Sequence, residues 1–160
     1  MSENQEEYEA TVAPVTQWLT FVLANERYAV KVVQVQEVLR YTPIAPVPGA
    51  PADVLGIINL RGNVVTVVDA RGKFGMPKRE IDEFTRIMMM DVQGYIIGVL
   101  VDTVTEVIDL KDEDVETTPD VGNSVSSLFI QGIANINNVL HILVNFEKLL
   151  TEKELEFLTN

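Results

Sequence analysis

An internal repeat covers most of this chain and limits the folds that the chain can adopt. Residues 16–38 align without gaps on residues 85–107, and residues 56–69 align on residues 132–145. The second pair of blocks shares the signature Gly-Ile-x-Asn, and the order and spacing of the blocks agree between the copies. We interpret this agreement as a duplication. The fold must therefore accommodate the same series of elements twice.

Each copy consists of short apolar segments separated by turn residues. Alternating apolar and polar positions with many β-branched side chains are typical of strands. Residues 95–110 are predicted to be one arm of a hairpin, and residues 35–41 are predicted to form a helical turn. Four prolines in residues 42–51 predict an extended loop, because proline cannot donate a hydrogen bond within a sheet. Hairpin turns are predicted at residues 25–27, 61–63, 93–94 and 137–138.

These elements predict a mainly all-β fold of two small packed barrels, with four or five short strands in each half of the chain. The repeat halves are about 16–84 and 85–150, within one domain over residues 15–160. A half of about 65 residues would be marginally stable alone, so we expect the two units to share a core. The groove where they meet is a common type of binding site.

The two ends of the chain carry different signals. Residues 1–14 hold four glutamates and no cation, and they are predicted to be a disordered acidic tail. Thr151 and Glu154 have the spacing of a capping box. This spacing predicts a short terminal helix over residues 152–158.

Composition argues against several functions. The formal net charge of −12 disfavours nucleic-acid binding, which needs a basic surface. No run of about 18 apolar residues occurs, so we expect no membrane insertion. The chain has no cysteine and one histidine, His141, and its acidic residues 109–116 lack the spacing of a calcium loop. Catalytic and phosphate-loop motifs are also absent from the sequence. We therefore predict a protein that is not an enzyme and needs no cofactor or metal.

Arg61 is the residue that the repeat singles out. Where the first copy has Arg61-Gly62, the second has Asn137-Asn138, so the turn itself does not require an arginine. An arginine in a stiff hairpin between apolar strands is typical of interface hot spots. A surface arginine paired with an acid is the alternative. Glu37 recurs as Glu106, and it is interpreted either as a local pairing residue or as a charge presented to a partner.

The segment "VLGIINLRGNVVTVVDARGKFG", residues 54–75, closely resembles the signature of the CheW family of chemotaxis coupling proteins. The resemblance extends over about residues 16–158. Thr66 stands where family members often have proline, and Ala70 stands where leucine is usual. Neither residue belongs to the turn at Arg61.

The resemblance implies two interlaced, SH3-like five-stranded barrels and a non-enzymatic scaffold. Such proteins connect the cytoplasmic tips of chemoreceptors to the regulatory domain of a sensor histidine kinase, CheA, and allow receptors to control kinase activity. The expected location is the cytoplasm, at membrane-bound receptor arrays. A coupling protein of another chemosensory pathway, such as twitching motility, is an alternative. A more remote alternative is a small-barrel enzyme with its active site between the lobes.

The resemblance and the repeat also predict the residues of the binding site. The matching family positions are expected to contact the receptor: Val35, Glu37, Asn59, Arg61 and Gly62. Val101 and Val104, the repeat equivalents of Val32 and Val35, are expected to line the opposite wall of the groove. For the kinase we expect a separate face at the strand edges of one barrel, because a free edge can pair with another strand.

Overall fold

The computed structural model describes residues 14–117 and 128–159, so the predicted tail over residues 1–14 lies almost wholly outside the described part. The first half contributes β1 (Val15–Leu23), β2 (Glu26–Lys31), β3 (Val35–Arg40), β4 (Val54–Leu60) and β5 (Asn63–Asp69). The second half contributes β6 (Arg86–Val92), β7 (Tyr95–Val101), β8 (Thr103–Lys111), β9 (Ile130–Ile136) and β10 (Val139–Val144). Two short helices are α1 (Ala70–Lys73) and α2 (Glu152–Thr159).

The strands form two five-stranded sheets with the same topology. Barrel A has the strand order β8-β1-β2-β10-β9, and barrel B has the order β3-β6-β7-β5-β4. The repeat equivalent of each strand is the strand five places before or after it in the chain, so that β1 corresponds to β6. Replacing every strand of barrel A by its equivalent gives the strand order of barrel B. Each sheet therefore takes strands from both repeat halves, and neither half forms a barrel by itself. The predicted mainly β fold of two five-stranded barrels is confirmed.

Buried side chains form three clusters. Barrel A encloses Trp18, Ala29, Leu110, Ala134 and Leu143, and barrel B encloses Ile58, Val65, Val67, Ile87 and Met89. The largest cluster lies between the barrels and includes Phe21, Val30, Met88, Val99 and Phe146. Since strands such as β6 contribute to the inside of a barrel and to the core between barrels, their sequences are apolar on both faces.

Two isolated bridges close the barrels and explain the glycine of the repeated signature. After β3 the chain returns to pair Ala45 with Ile57, and after β8 it returns to pair Glu116 with Ile133. A Cβ atom on Gly56 would lie 2.1 Å from the carbonyl oxygen of Ala45. The equivalent atom on Gly132 would lie 2.8 Å from the carbonyl oxygen of Glu116. Only glycine lets the closing segment approach so closely.

Four hairpins turn through two residues with positive φ, as type I′ hairpin turns require. The turns predicted at residues 93–94 and 137–138 are confirmed, and the third consists of Arg61 and Gly62. The first turn is Ala24-Asn25, one residue earlier than the predicted residues 25–27. The predicted loop over residues 42–51 makes one ladder contact, the bridge at Ala45.

Two predicted elements are wrong. Residues 35–40 form strand β3, which pairs antiparallel with β6, and the helical turn lies just before it at Val32–Gln34. Residues 95–110 are not one arm of a hairpin, because the chain breaks at Asp102 into β7 of barrel B and β8 of barrel A. In both places strand pairing over a long sequence separation decides the conformation, and the local pattern does not reveal it.

Asp102 lies where the chain crosses from barrel B to barrel A. Its carboxylate accepts hydrogen bonds from the backbone N–H of Ala24 at 2.9 Å and from Arg71 Nε at 2.7 Å and Nη2 at 2.5 Å. Arg79 donates a further hydrogen bond at 3.3 Å. Burial opposes ionisation of Asp102, but the hydrogen bonds from Arg71, Ala24 and Arg79 outweigh it and lower the pKa. This cluster ties the β1–β2 turn to the segment after β5.

The terminal helix begins with the predicted capping box. The backbone N–H of Thr151 donates to Glu154 Oε1 at 2.9 Å, and the N–H of Glu154 donates to Thr151 Oγ1 at 3.2 Å. Glu154 is buried and also pairs with Lys73 of α1, which is buried as well. The helix runs one residue beyond the predicted residues 152–158.

The closure of barrel B gives a first prediction. Gly56→Ala should lower the free energy of unfolding by about 4 kcal/mol or more, because the new Cβ collides with backbone and breaks the bridge at Ala45. Gly49→Ala is the matched control, since Gly49 also has a positive φ but nothing lies within 4 Å of its Cβ position. The control should cost about 1 kcal/mol. Urea unfolding measures both, and equal losses would contradict the explanation.

The Asp102 cluster gives a second prediction. Asp102→Asn should destabilise the protein by about 3 kcal/mol at neutral pH, because it leaves the poorly exposed charge of Arg71 without its counter-ion. A carboxyl group with a lowered folded pKa contributes stability that is complete above its unfolded pKa of about 3.9 and is lost as the pH falls through the folded pKa.

The loss caused by Asp102→Asn should therefore shrink at acidic pH. Urea unfolding over a series of pH values measures this, and Asp91→Asn, at an exposed position of β6, is the control. A loss that stays constant from neutral pH to below the folded pKa would show that the charge of Asp102 is not its cause.

Candidate functional site

The turn between β4 and β5 presents Arg61 on a rigid support. Arg61 and Gly62 have φ values of 50° and 86°, and the side-chain oxygen of Asn59 accepts a hydrogen bond from the N–H of Gly62 at 3.0 Å. A Cβ atom on Gly62 would meet nothing within 4 Å. Glycine is therefore favoured at this position by its positive φ and not by a steric clash. The Asn-x-Arg-Gly order thus fixes the turn and exposes the arginine.

Arg61 pairs with Glu37 across the two edge strands of barrel B. Arg61 follows β4 and Glu37 lies in β3, and these strands are at opposite ends of the sheet order. Nη1 lies 3.4 Å from Oε1, and Nη2 donates to Oε2 in a second contact. The hydrogen bond and the charge of Glu37 raise the pKa of the Arg61 guanidinium group. This two-point pair orients the guanidinium plane.

Exposed apolar side chains surround the pair. Val64 is 68% exposed and Ile96 is 38% exposed. A shallow pocket beside the pair is lined by Gln36, Glu37, Leu60, Arg61, Asn63, Val64, Val65, Met89 and Ile96. We refer to this set as the Arg61 surface. An arginine within an apolar rim is the composition of an interface hot spot.

Barrel A lacks this ion pair at the equivalent place. Glu106 and Asn137 stand where barrel B has Glu37 and Arg61. The backbone of Glu106 is instead held by the hydroxyl of Thr20, which bonds its N–H at 3.0 Å and its carbonyl oxygen at 2.9 Å. The exposed apolar side chains in this region are Val107, Val139 and Leu140. The arginine is therefore specific to one barrel of the duplicated scaffold.

The structure separates the predicted site residues into two groups. Glu37, Asn59, Arg61 and Gly62 lie together at the Arg61 surface. The other three, Val35, Val101 and Val104, contribute to the core between the barrels.

Val101 lies well away from Arg61, whereas Val35 lies only two residues from Glu37 on β3. Val101 is 2% exposed, and it lies five residues beyond Ile96 on β7, a distance of about 17 Å along a strand. Val104 lies opposite Phe21 in barrel A, and Val35 lies opposite Met90 in barrel B. Val35 and Val104 are partly exposed and line the junction between the barrels.

Sequence reasoning did not identify the exposed apolar residues of the Arg61 surface. Val64 and Ile96 lie in apolar runs, and nothing local distinguishes an outward-facing apolar side chain from a buried one in such runs. Barrel curvature decides which of these side chains face solvent.

Other features of the described residues bear on the chemistry. Among residues 14–117 and 128–159, no group of three or more His, Cys, Asp or Glu side chains is placed so that it could bind a metal ion. None of the helices in those ranges is long and apolar enough to cross a membrane. His141 is buried in β10, where Nδ1 lies 3.0 Å from the carbonyl oxygen of Val139.

The geometry defines a protein-interaction module, in which a preoriented arginine stands on a closed double barrel. Residues 17–154 match the model of the CheW-like domain, and the chain belongs to this family.

Relatives and a solved structure agree with this assignment. The chain is 32% identical to the chemotaxis protein CheW of Rhizobium meliloti over 86% of its length and 89% of the relative. It is 29% identical to the chemotaxis protein CheW of Klebsiella aerogenes, over 90% of the chain and 87% of the relative. The crystal structure of the scaffolding protein TtCheW from Thermoanaerobacter tengcongensis has a TM-score of 0.79 at 31% identity, covering 88% of this chain and 97% of that one.

The exposed position of the ion pair gives a third prediction. Arg61→Ala should leave the urea midpoint almost unchanged, because ion pairs at the surface contribute little to stability and barrel B also has its bridge at Ala45. Arg40→Ala, at an exposed position of the same barrel, is the control. A loss of stability close to that of Gly56→Ala would show that the pair is needed to close the barrel.

Proposed function

We propose that this chain is a non-enzymatic scaffold that couples the cytoplasmic tips of chemoreceptors to a histidine kinase. The match of residues 17–154 to the CheW-like domain carries this proposal. It is supported by the relatives, which are chemotaxis proteins, and by the similar crystal structure, which is that of a scaffolding protein. The expected site of action is the cytoplasmic side of a receptor array.

A coupling protein needs two surfaces that can be occupied together, and the two groups of site residues offer them. The junction between the barrels presents the partly exposed valines Val35 and Val104. An apolar junction suits an amphipathic helix, which is the form in which we propose the receptor tip binds. The Arg61 surface lies at one open end of barrel B, where Val65 and Met89 contribute to its lining, and it adjoins the junction at Gln36, the residue after Val35.

We assign the Arg61 surface to the regulatory domain of the kinase. Sequence reasoning placed Arg61 with the receptor contacts, but its separation from Val101 and the different composition of the two surfaces, an exposed arginine against partly exposed valines, favour a separate partner. The free edges expected to bind the kinase receive less support, because the bridge at Ala45 and the pair between Arg61 and Glu37 join both edges of barrel B. Arginine presents five donors in a planar fork, which suits carboxylate or carbonyl acceptors on a folded domain.

This assignment gives a fourth prediction. Arg61→Ala should weaken binding of the kinase regulatory domain by about tenfold or more and should leave the affinity for a receptor tip unchanged. Arg61→Lys should restore little of the loss, because an ammonium group cannot reproduce the planar fork. Isothermal titration with each partner alone measures the two affinities, and Lys148→Ala, at an exposed position outside both surfaces, is the control.

The outcomes distinguish the assignment from the function. If Arg61→Ala weakens only receptor binding, the coupling function stands and the two surfaces are exchanged. If the wild-type chain binds neither partner, the coupling function itself is wrong. A ternary assay of kinase activation should follow the kinase affinity across the variants, because the scaffold acts by holding receptor and kinase together.

A further inference from the structure

A pocket at one open end of barrel A has an unusual polar lining. It lies between β1, β2, β8 and β9, on the other barrel from the Arg61 surface. Its lining includes Thr16, Trp18, Lys31, Lys111 and Gln131, with Leu110 and Val115 as apolar members. Asp112 is the one carboxylate among the described residues of the lining, and it is exposed.

Trp18 lines this pocket and carries a buried hydrogen-bond donor. It is the only tryptophan of the chain and is 2% exposed, packed with Ala29 and Leu143 inside barrel A. Its indole Nε1 is buried and has no hydrogen-bond partner in the described part of the chain. An indole N–H can only donate, and a buried donor without an acceptor is unfavourable.

Two lysines accompany this donor. Lys31 lies directly opposite Trp18 on β2, and its Nζ is 5.8 Å from the centre of the indole ring. Lys111 is at the end of β8, beside the same pocket. Neither lysine forms an ion pair with another described residue. Two ammonium groups thus meet at one pocket, beside the carboxylate of Asp112 and that of Asp114, which accepts a hydrogen bond from the N–H of Lys111 at 2.8 Å.

The duplication shows that the fold does not require these donors. The repeat equivalents of Trp18, Lys31 and Gln131 are Ile87, Leu100 and Leu55. The corresponding end of barrel B also carries a pocket, whose lining includes Leu55 and Leu100. The scaffold is thus built with apolar residues at positions where barrel A has an indole, an ammonium group and an amide.

We propose that the pocket of barrel A binds a carboxylate group carried on a short aliphatic stem. The indole N–H and the two ammonium groups are all donors, and an ionised carboxylate only accepts hydrogen bonds. Leu110 and Val115 offer an apolar wall to the stem. The carboxylate comes from a free dicarboxylic acid or from an acidic side chain of a peptide. This inference does not depend on the proposed coupling function.

The single tryptophan makes the test direct, because an NMR spectrum of the ¹⁵N-labelled protein contains one indole N–H resonance. Glutarate and a short capped peptide with one glutamate are the two probes. Each is compared, at matched pH and ionic strength, with its uncharged counterpart, glutaramide or the same peptide with glutamine. A saturable shift of the indole resonance with a carboxylate probe, and none with its amide, is the expected result.

Charge variants then locate the site. Lys31→Ala and Lys111→Ala should each weaken binding about tenfold, as expected for loss of a charge-assisted hydrogen bond. The control Lys148→Ala should bind like wild type, and thermal unfolding should show that all variants are folded. A shift with one probe alone supports the carboxylate site and identifies its source. No shift with either probe, an equal shift with the amides, or unchanged binding by both lysine variants would overturn the proposal.

Discussion

Burial of the outer face of each sheet against the other is the interaction on which the whole structure depends. Each barrel encloses only a small cluster of buried residues, whereas the core between them includes side chains such as Phe21, Met88 and Phe146. A barrel of that size would bury too little apolar surface to be stable alone. The two barrels therefore fold as one unit. Asp102 fixes the crossing point, because its carboxylate receives donors from both sides of the junction.

The parts of this fold that the sequence predicts are those that local chemistry determines. The turn at residues 137–138 and the capping box of Thr151 and Glu154 were predictable, because neighbouring residues supply the positive φ values or the hydrogen bonds. Strand β3 and the break at Asp102 were not, because they depend on pairing with distant strands. The same limit applies to the site. The turn residues around Arg61 were predicted together, whereas Val101 was assigned to a groove wall although the structure buries it.

Duplication explains how the scaffold could acquire separate binding functions without losing its fold. The closing segments require glycine at positions 56 and 132, so these residues are alike in both copies. The side chains at the barrel ends carry no such requirement. Arg61 corresponds to Asn137, and Trp18 corresponds to Ile87. Both copies form the same elements although their residues differ at these positions. A residue at such a position can therefore be selected for binding a partner without changing the fold.

The pair between Arg61 and Glu37 also determines how Arg61 can meet a partner. With a net charge of −12, the protein repels acidic partners at long range, but this repulsion is screened beyond about 8 Å at physiological ionic strength. Recognition by Arg61 is therefore a short-range event. Because Glu37 already holds the guanidinium plane, binding costs less side-chain entropy than it would for a free arginine. An acceptor on the partner can use the donors that Glu37 leaves free, and the apolar side chains of Val64 and Ile96 can exclude water from that contact. The local surface can thus bind a partner that the overall charge of the chain does not attract.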